Sequence, residues 1–373
     1  MTTTPNPVTA IPFGDLGRQY HSIGKEIDSA IKRVLDRGWF ILGEEVKSFE
    51  REFASYIGVH HAIGVGSGTE AIHLALIAAG VQPGDEVITA PNTCVPTISA
   101  LSFAGAIPVL VDVDERSYNI DPDKLERAIT SRTKAILPVH LYGQAADLEP
   151  ILAIAREKNI PVIEDAAQGH GATYRGRKLG CFGLAAAFSF YPSKNLGAYG
   201  DGGAVVTDDD STADRLRKLR NYGEERRYFH TSKGFNSRLD ELQAAILREK
   251  LGRLDQWNDR RRQIADLYNR TITNLAVTKP AEMDYGDHDY HLYVLRCGRR
   301  DQLRRHLEAN RIGSLIHYPV PVHLQEAYSD LGLAEGSYPV AERLCNEVLS
   351  LPMFPELRDD EVIRVAEAVN SFV

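Results

Sequence analysis

Apolar positions change their spacing along this chain. Two helix-period stretches open it, over 23–35 and 45–56. From residue 68 onward, short apolar runs alternate with amphipathic stretches. Ala71, Leu74, Ala75 and Ala78 share one helical face, and Gly80 ends a helix predicted over 68–79. The turn Pro83-Gly84-Asp85 leads into a strand over 86–89, then a helix over 95–104 with Pro96 in its first turn. A strand over 107–111 follows. Asp121 caps a helix that has Pro122 at its first position and ends near Ile129. Next come a strand over 135–139, a helix over 148–158 and a strand over 161–164. Strands over 186–190 and 204–207 flank a glycine-rich loop and are placed to pair. A single long helix is expected over 238–257. Beyond it, a strand over 291–296 and helices over 301–309 and 340–348 describe a smaller unit. The pattern predicts an α/β fold, a mostly parallel sheet sandwiched by helices plus a smaller C-terminal α/β domain. The expected division is 1–257, including an N-terminal arm, and 258–373.

Composition narrows the functional classes. The 373 residues carry a formal charge of -8, which argues against a general nucleic-acid or membrane-surface binder. Arg260, Arg261 and Arg262 form the only tight basic run and read as a solvated helix face. Cys94, Cys181, Cys297 and Cys345 are far apart, so neither a disulfide framework nor a zinc or other metal site is expected, and a reducing cytoplasm fits. The first ten residues read as a polar tail without the basic and apolar regions of a signal peptide. No apolar run is long enough to span a bilayer.

Three segments carry candidate chemistry. In Phe188-Ser189-Phe190-Tyr191-Pro192-Ser193-Lys194-Asn195-Leu196-Gly197, a lysine follows a buried strand among small and apolar residues. Desolvation there favours the neutral amine, which can form a Schiff base; the competing reading is a surface lysine in a turn. In Val162-Ile163-Glu164-Asp165-Ala166-Ala167-Gln168, acids sit at the carboxyl end of a strand, where open α/β sheets bind ligands. Glu164 and Asp165 should face opposite ways, so one alone can hold a pyridinium nitrogen protonated; the competing reading is a helix cap. Gly66-Ser67-Gly68-Thr69 precedes a helix and reads either as a phosphate cradle or as a plain capped start. Together, the three supply a phosphate site, a pyridinium partner and a Schiff-base lysine.

At this point the sequence resembles the DegT/DnrJ/EryC1/StrS family of sugar aminotransferases, which use pyridoxal 5'-phosphate (PLP) and have fold type I, the aspartate aminotransferase architecture. SGTEAIHLAL, GDEVITAPNT, LPVHLYGQAADL, VIEDAAQGHGA, SFYPSKNLGAYGDGGAVVT and FNSRLDELQAAIL carry the resemblance. It implies that residues 1–257 bind PLP, that Lys194 binds it covalently, and that Asp165 pairs with its ring nitrogen. Gln168 would lie by the ring oxygen, and Gly68, Thr69 and Ser189 would hold the phosphate. Asn236 would reach that phosphate from a second subunit, so an obligate homodimer with shared active sites is implied. One departure stands out: the family often has an aromatic residue after the threonine of the Thr93-Cys94 pair to stack on the ring. With Cys94 there, either another residue covers that face or the cofactor is held differently; a nucleophilic Cys94 is the lesser alternative.

The implied reaction is transamination from L-glutamate to a nucleotide-linked keto sugar. VHLYGQ around His140, with the 316–323 stretch, resembles the branch aminating C3 of dTDP-linked 3-keto-6-deoxyhexoses. His317, Tyr318 and His323 could meet sugar hydroxyls or diphosphate, or be interior residues. Rival expectations are amination at C4 of a 4-keto sugar, or a PLP-binding regulatory protein without turnover. Retention of Lys194 argues against the dehydratases that have lost it.

Overall fold

A computed structural model of the chain describes residues 9–373. The polar tail expected over the first ten residues lies outside these as far as residue 8. Helix α1 (Leu16–Arg37) starts at Asp15, whose carboxylate accepts from the Arg18 N–H, and α2 (Glu44–Ile57) follows. Each buries one stripe, Ile23, Ile27, Ala30 and Val34 on α1 and Val46, Phe49 and Phe53 on α2. Strands β1 (His61–Val65), β2 (Glu86–Thr89), β3 (Ile107–Leu110), β4 (Thr133–Ile136) and β5 (Ile163–Asp165) then alternate with α3 (Gly68–Ala78), α4 (Val95–Phe103), α5 (Pro122–Leu125) and α6 (Leu148–Lys158). A small hairpin, β6 (Thr173–Tyr174) and β7 (Arg177–Lys178), precedes β8 (Ala185–Ser189) and β9 (Gly203–Thr207).

The main strands join in the order β3-β2-β4-β5-β8-β9-β1. Parallel bridges Ile136↔Val162 and Val139↔Asp165 connect β4 to β5. All run the same way except β9, which is antiparallel to both neighbours. The expected pairing of the last two strands is therefore present. Side chains alternate across the sheet. On β8, Ala185 and Ala187 join the core beneath α3 and α4, whereas Ala186 and Phe188 join Phe49 and Phe53 of α2 on the other face. Asp165 and Glu164 separate in the same way, as expected.

The remainder comprises α7 (Asp210–Leu219), a hairpin of β10 (Glu224–Arg226) and β11 (Phe229–His230), α8 (Glu241–Leu251), α9 (Leu254–Thr271), β12 (Tyr293–Arg296), α10 (Arg300–Ala309), α11 (Pro339–Glu347), β13 (Val348–Leu351) and α12 (Asp359–Asn370). The long helix expected over 238–257 is instead two helices, broken at Gly252 and Arg253. Glycine is a poor helix former, and the apolar stripe runs on through the break at Leu247, Leu254 and Trp257. Position 257 falls inside α9: Trp257 packs on α1, and Ile264, Ala265 and Tyr268 enter the core of β12, β13, α10 and α12. Strands β1 and β13 are not predicted by the apolar pattern. The basic run is not one solvated face either. Arg261 is buried, and it donates to the carbonyls of Tyr290, His291 and Met353 at 3.1–3.3 Å. Among the described residues, no helix is long and apolar enough to cross a membrane, and no cluster of side chains suits a metal ion. All four cysteines are free.

One buried lysine braces the loop after β8. Lys250 of α8 is fully buried; its Nζ donates to the Gly197 carbonyl at 2.7 Å and lies 3.8 Å over the Tyr199 ring. Burial lowers its pKa to about 7, with Glu356 opposing. The folded pKa lies below the unfolded one, so between them the unfolded chain binds the extra proton and stability rises with pH. From pH 7 to 10, Lys250 should add about 1.4 kcal/mol per pH unit. Urea unfolding of wild type and Lys250→Met across that range checks this. The wild-type slope should exceed that of the variant.

Candidate active site

The carboxyl edge of the parallel strands gathers the candidate side chains, as expected of an open α/β sheet. A cavity of about 490 Å³ there is lined by Gly68, Thr69, Asp165, Gln168, Ser189 and Lys194, and also by Cys94, Thr97, His291, His317 and Tyr318. Segments following β1, β2, β5 and β8 thus meet two segments from the C-terminal part of the chain.

Lys194 sits in a loop that folds back on itself. Its N–H donates to the Tyr191 carbonyl at 2.8 Å, and the Ala198 N–H to Phe190 at 2.8 Å. Gly197 permits this closure, because a Cβ there would lie 2.3 Å from the Pro192 carbonyl oxygen. Burial lowers the Lys194 pKa, while Cys94, Asp165 and Asp289 pull the other way. Lys194 is half-buried and lines the cavity.

Asp165 ends β5 and is 3% exposed. Thr97 Oγ1 donates to its Oδ2 at 2.8 Å, and the Ala167 N–H to Oδ1 at 3.2 Å. Burial nonetheless raises its pKa. No helix starts behind it, so it is not a helix cap. Glu164 faces the opposite way and is saturated. It accepts from the N–H groups of Gly180, Phe182 and Gly183 and from His140 Nε2, at 2.8–3.1 Å. The Ala146 N–H donates to His140 Nδ1, so Nε2 carries the His140 proton. Burial raises the Glu164 pKa, but these donors outweigh it and hold the carboxylate ionised. Only Asp165 is available to a ligand.

The phosphate end is built from small residues. Ser67 caps α3 by accepting from the Glu70 N–H. A Cβ on Gly68 would sit 2.5 Å from the Ser189 Cβ, and one on Gly203 would sit 2.3 Å from the Ser67 carbonyl oxygen. The first turn of α3 therefore lies directly against the end of β8, where its N–H groups and dipole suit an anion. Gln168 is held by the Tyr142 N–H at 2.7 Å, and its Nε2 donates to the Tyr318 hydroxyl at 3.3 Å.

Among the expected substrate residues, His317 and Tyr318 line the cavity. His317 Nδ1 pairs with Ser350 Oγ at 2.8 Å, and its carbonyl accepts from the Tyr142 hydroxyl. Burial lowers the His317 pKa to about 4. His323 does not join them. A short turn, Val322–Leu324, directs it to Glu342 at 2.9 Å and against the Tyr338 ring. Asn236 is exposed, pairs through its backbone with Asn221, and lies outside the cavity of its own chain. Burial raises the Cys94 pKa, which favours the thiol over the nucleophilic thiolate. Aromatic walls come from Tyr191, His291, His317 and Tyr318. Thr97 and His291 were missed from sequence. Thr97 had a weak signal as a second hydroxyl four residues after Thr93; Thr93 precedes α4, Thr97 lies in its first turn, and the two hydroxyls meet at 2.8 Å.

These residues fit PLP: a cradle closed to any Cβ, a buried carboxyl lacking a cation, and a lysine held towards its neutral form. The bound cofactor would supply an aldehyde for an amine and a ring that withdraws electrons. Sheet order and site together define a PLP-dependent aminotransferase of fold type I. The chain belongs to the DegT/DnrJ/EryC1/StrS aminotransferase family, which it matches over residues 21–370. It is 51% identical over 362 residues to the dTDP-3-amino-3,6-dideoxy-alpha-D-galactopyranose transaminase of Aneurinibacillus thermoaerophilus, covering 97% of this chain and 99% of that one. It is also 51% identical over 348 residues to the erythromycin biosynthesis sensory transduction protein EryC1 of Saccharopolyspora erythraea, covering 93% and 95%. Among solved structures, DesV of S. venezuelae in complex with a ketimine intermediate superposes with a TM-score of 0.95 at 49% identity, covering 97% and 98%.

Proposed function

We propose that this aminotransferase moves the amino group of L-glutamate to C3 of a dTDP-linked 3-keto-6-deoxyhexose, in the cytoplasm. The observation that carries this is one cavity joining Lys194 and Asp165 to His317 and Tyr318, in a chain half identical to a named dTDP-3-amino-sugar transaminase. Gly68, Thr69 and Ser189 would hold the PLP phosphate, Asp165 its ring nitrogen and Gln168 its ring oxygen. Lys194 Nζ, held towards its neutral form by burial, would bind the cofactor. Once released, it would take the proton from the α carbon of the donor, and it would return a proton to the C3 carbon of the sugar. Residues 1–257 would form the cofactor domain and 258–373 the smaller one.

A homodimer belongs to the same reading. Phe103 is 64% exposed and Phe235 39%, both packed around His73 of α3, and Phe103 lines a surface groove that shares Ser67 and Thr69 with the cavity. A second copy covering them would bring Asn236 within reach of a neighbouring site.

The test is incubation with PLP, glutamate and either dTDP-3-keto or dTDP-4-keto sugars, reading the aminated carbon by NMR. Amination at C3 alone is expected; amination at C4 would overturn the assignment. The name of EryC1 keeps a regulatory reading in view. Loss of visible absorbance on adding glutamate, with no sugar product from either ketone, would support that reading instead.

A further inference from the structure

His291 belongs to none of the three segments that carry candidate chemistry in the sequence, yet it lines the cavity beside Lys194 and is only 8% exposed. Its protonation state follows from a chain of hydrogen bonds with one fixed end. The backbone carbonyl of His170 can only accept. It takes the Asn258 Nδ2 at 2.7 Å, which turns Asn258 Oδ1 towards Asn195. Asn195 Nδ2 donates to that oxygen at 2.9 Å and to the Asp289 carbonyl at 3.1 Å. Both amides are thus oriented by backbone carbonyls, and both side chains are buried. Asn195 is left with Oδ1 facing His291 Nδ1 at 3.2 Å. An amide oxygen only accepts, so His291 Nδ1 carries the hydrogen and Nε2 is a bare lone pair. Nε2 has no hydrogen-bond partner among the described residues and is not enclosed by protein, so it opens on the cavity that the ring lines.

The ring is fixed in place as well. The His291 N–H donates to Asp289 Oδ1 at 2.9 Å, and its carbonyl accepts from Arg261. Burial, with Lys194 and Arg261 nearby, drives its pKa well below the usual imidazole value. His317 and His170 also face it and act in the same direction.

We propose that His291 is a specificity-determining residue, a neutral imidazole whose Nε2 accepts a hydrogen bond from an N–H or O–H of the bound substrate. The two sources are the amine of the amino donor and a hydroxyl of the keto sugar. Accepting from either adds discrimination, because a ligand lacking that donor leaves a desolvated acceptor unpaired. The choice between sources rests on the transaminase reading above; the tautomer does not.

The experiment has two parts on the PLP-loaded enzyme. Long-range 1H–15N correlation of histidine-labelled protein, with His291 assigned by comparison with His291→Gln, reads the tautomer before any substrate is added. A pyridine-like Nε2 and a protonated Nδ1 are expected at neutral pH. A protonated Nε2 overturns the proposal even if the enzyme turns over sugars. The second part measures the two half-reactions separately in His291→Phe and His291→Gln, the latter placing an amide oxygen near the Nε2 position. A loss of at least tenfold in kcat/KM for glutamate alone assigns the amine. The same loss for the sugar alone assigns the hydroxyl. In either case, partial recovery in the Gln variant is expected. Equal loss in both arms points to an acceptor for Lys194, and no loss in either leaves Nε2 idle; both results overturn the substrate assignment. If His291→Phe fails to fold, Asn195→Ala serves in its place, since it frees the tautomer without touching the ring.

Discussion

Lys194→Ala is expected to lose turnover by at least about 10⁴-fold, the upper range for one acid–base group, and further because the same amine binds the cofactor. The loss should come without unfolding. The loop that carries Lys194 is closed by backbone bonds from Lys194 to Tyr191 and from Ala198 to Phe190, neither of which needs the side chain. Lys250 and Gln243 of α8 brace it from outside, at Gly197 and at the Tyr199 N–H. Removing a desolvated amine also relieves a burial penalty, so the variant should unfold no earlier than the parent. Lys194→Arg separates charge from chemistry: it keeps a cation near Asp165 but cannot condense with an aldehyde. Both variants should therefore lose the visible absorbance of lysine-bound PLP. Absorbance titration with PLP and assay of each half-reaction check this. Retained turnover in Lys194→Arg would show that the residue acts as a charge alone.

Much of this arrangement could be read from the chain because the main strands alternate with helices and the ligand edge follows from that order. Ser67 to Thr69 and Lys194 follow β1 and β8, and Asp165 ends β5, so these strands carry them to one edge. Residues beyond the sheet were harder to place. His291 sits before β12, far along the chain from Lys194, and what brings it to the cavity is the Asn195–Asn258 relay and Arg261. None of these contacts has a sequence period. His323 shows the converse. It shares a histidine- and proline-rich stretch with His317, but the turn at Val322–Leu324 points it at Glu342. Arg261 resembles its half-buried neighbours Arg260 and Arg262 in composition, and only the carbonyls it meets explain its full burial. The break at Gly252 was hidden because α8 and α9 bury the same side.

Asp165→Asn is expected to separate activity from stability. The carboxyl is buried, and its pKa is raised above that of an unfolded aspartate despite Thr97, Ala167 and Lys194. A carboxyl raised on folding opposes stability once the pH exceeds its folded pKa, and this cost disappears on acidification. The amide carries no such cost. It keeps an oxygen for Thr97 and gives up at most the 3.2 Å bond from Ala167, worth about 1 kcal/mol. The PLP-free Asn variant should therefore be at least as stable as the parent at pH 7 to 8. Activity should move the other way. A neutral amide cannot stabilise a protonated ring nitrogen. Removing one partner of a buried charge pair costs about 2–5 kcal/mol, or roughly 30- to 5,000-fold in kcat. The loss should appear in both half-reactions, since each depends on the same ring. Urea midpoints of the PLP-free proteins and kcat for each half-reaction distinguish the outcomes. A variant that loses stability and activity in step would make Asp165 a strut of the β5 turn, and the ring would then need another source of positive charge.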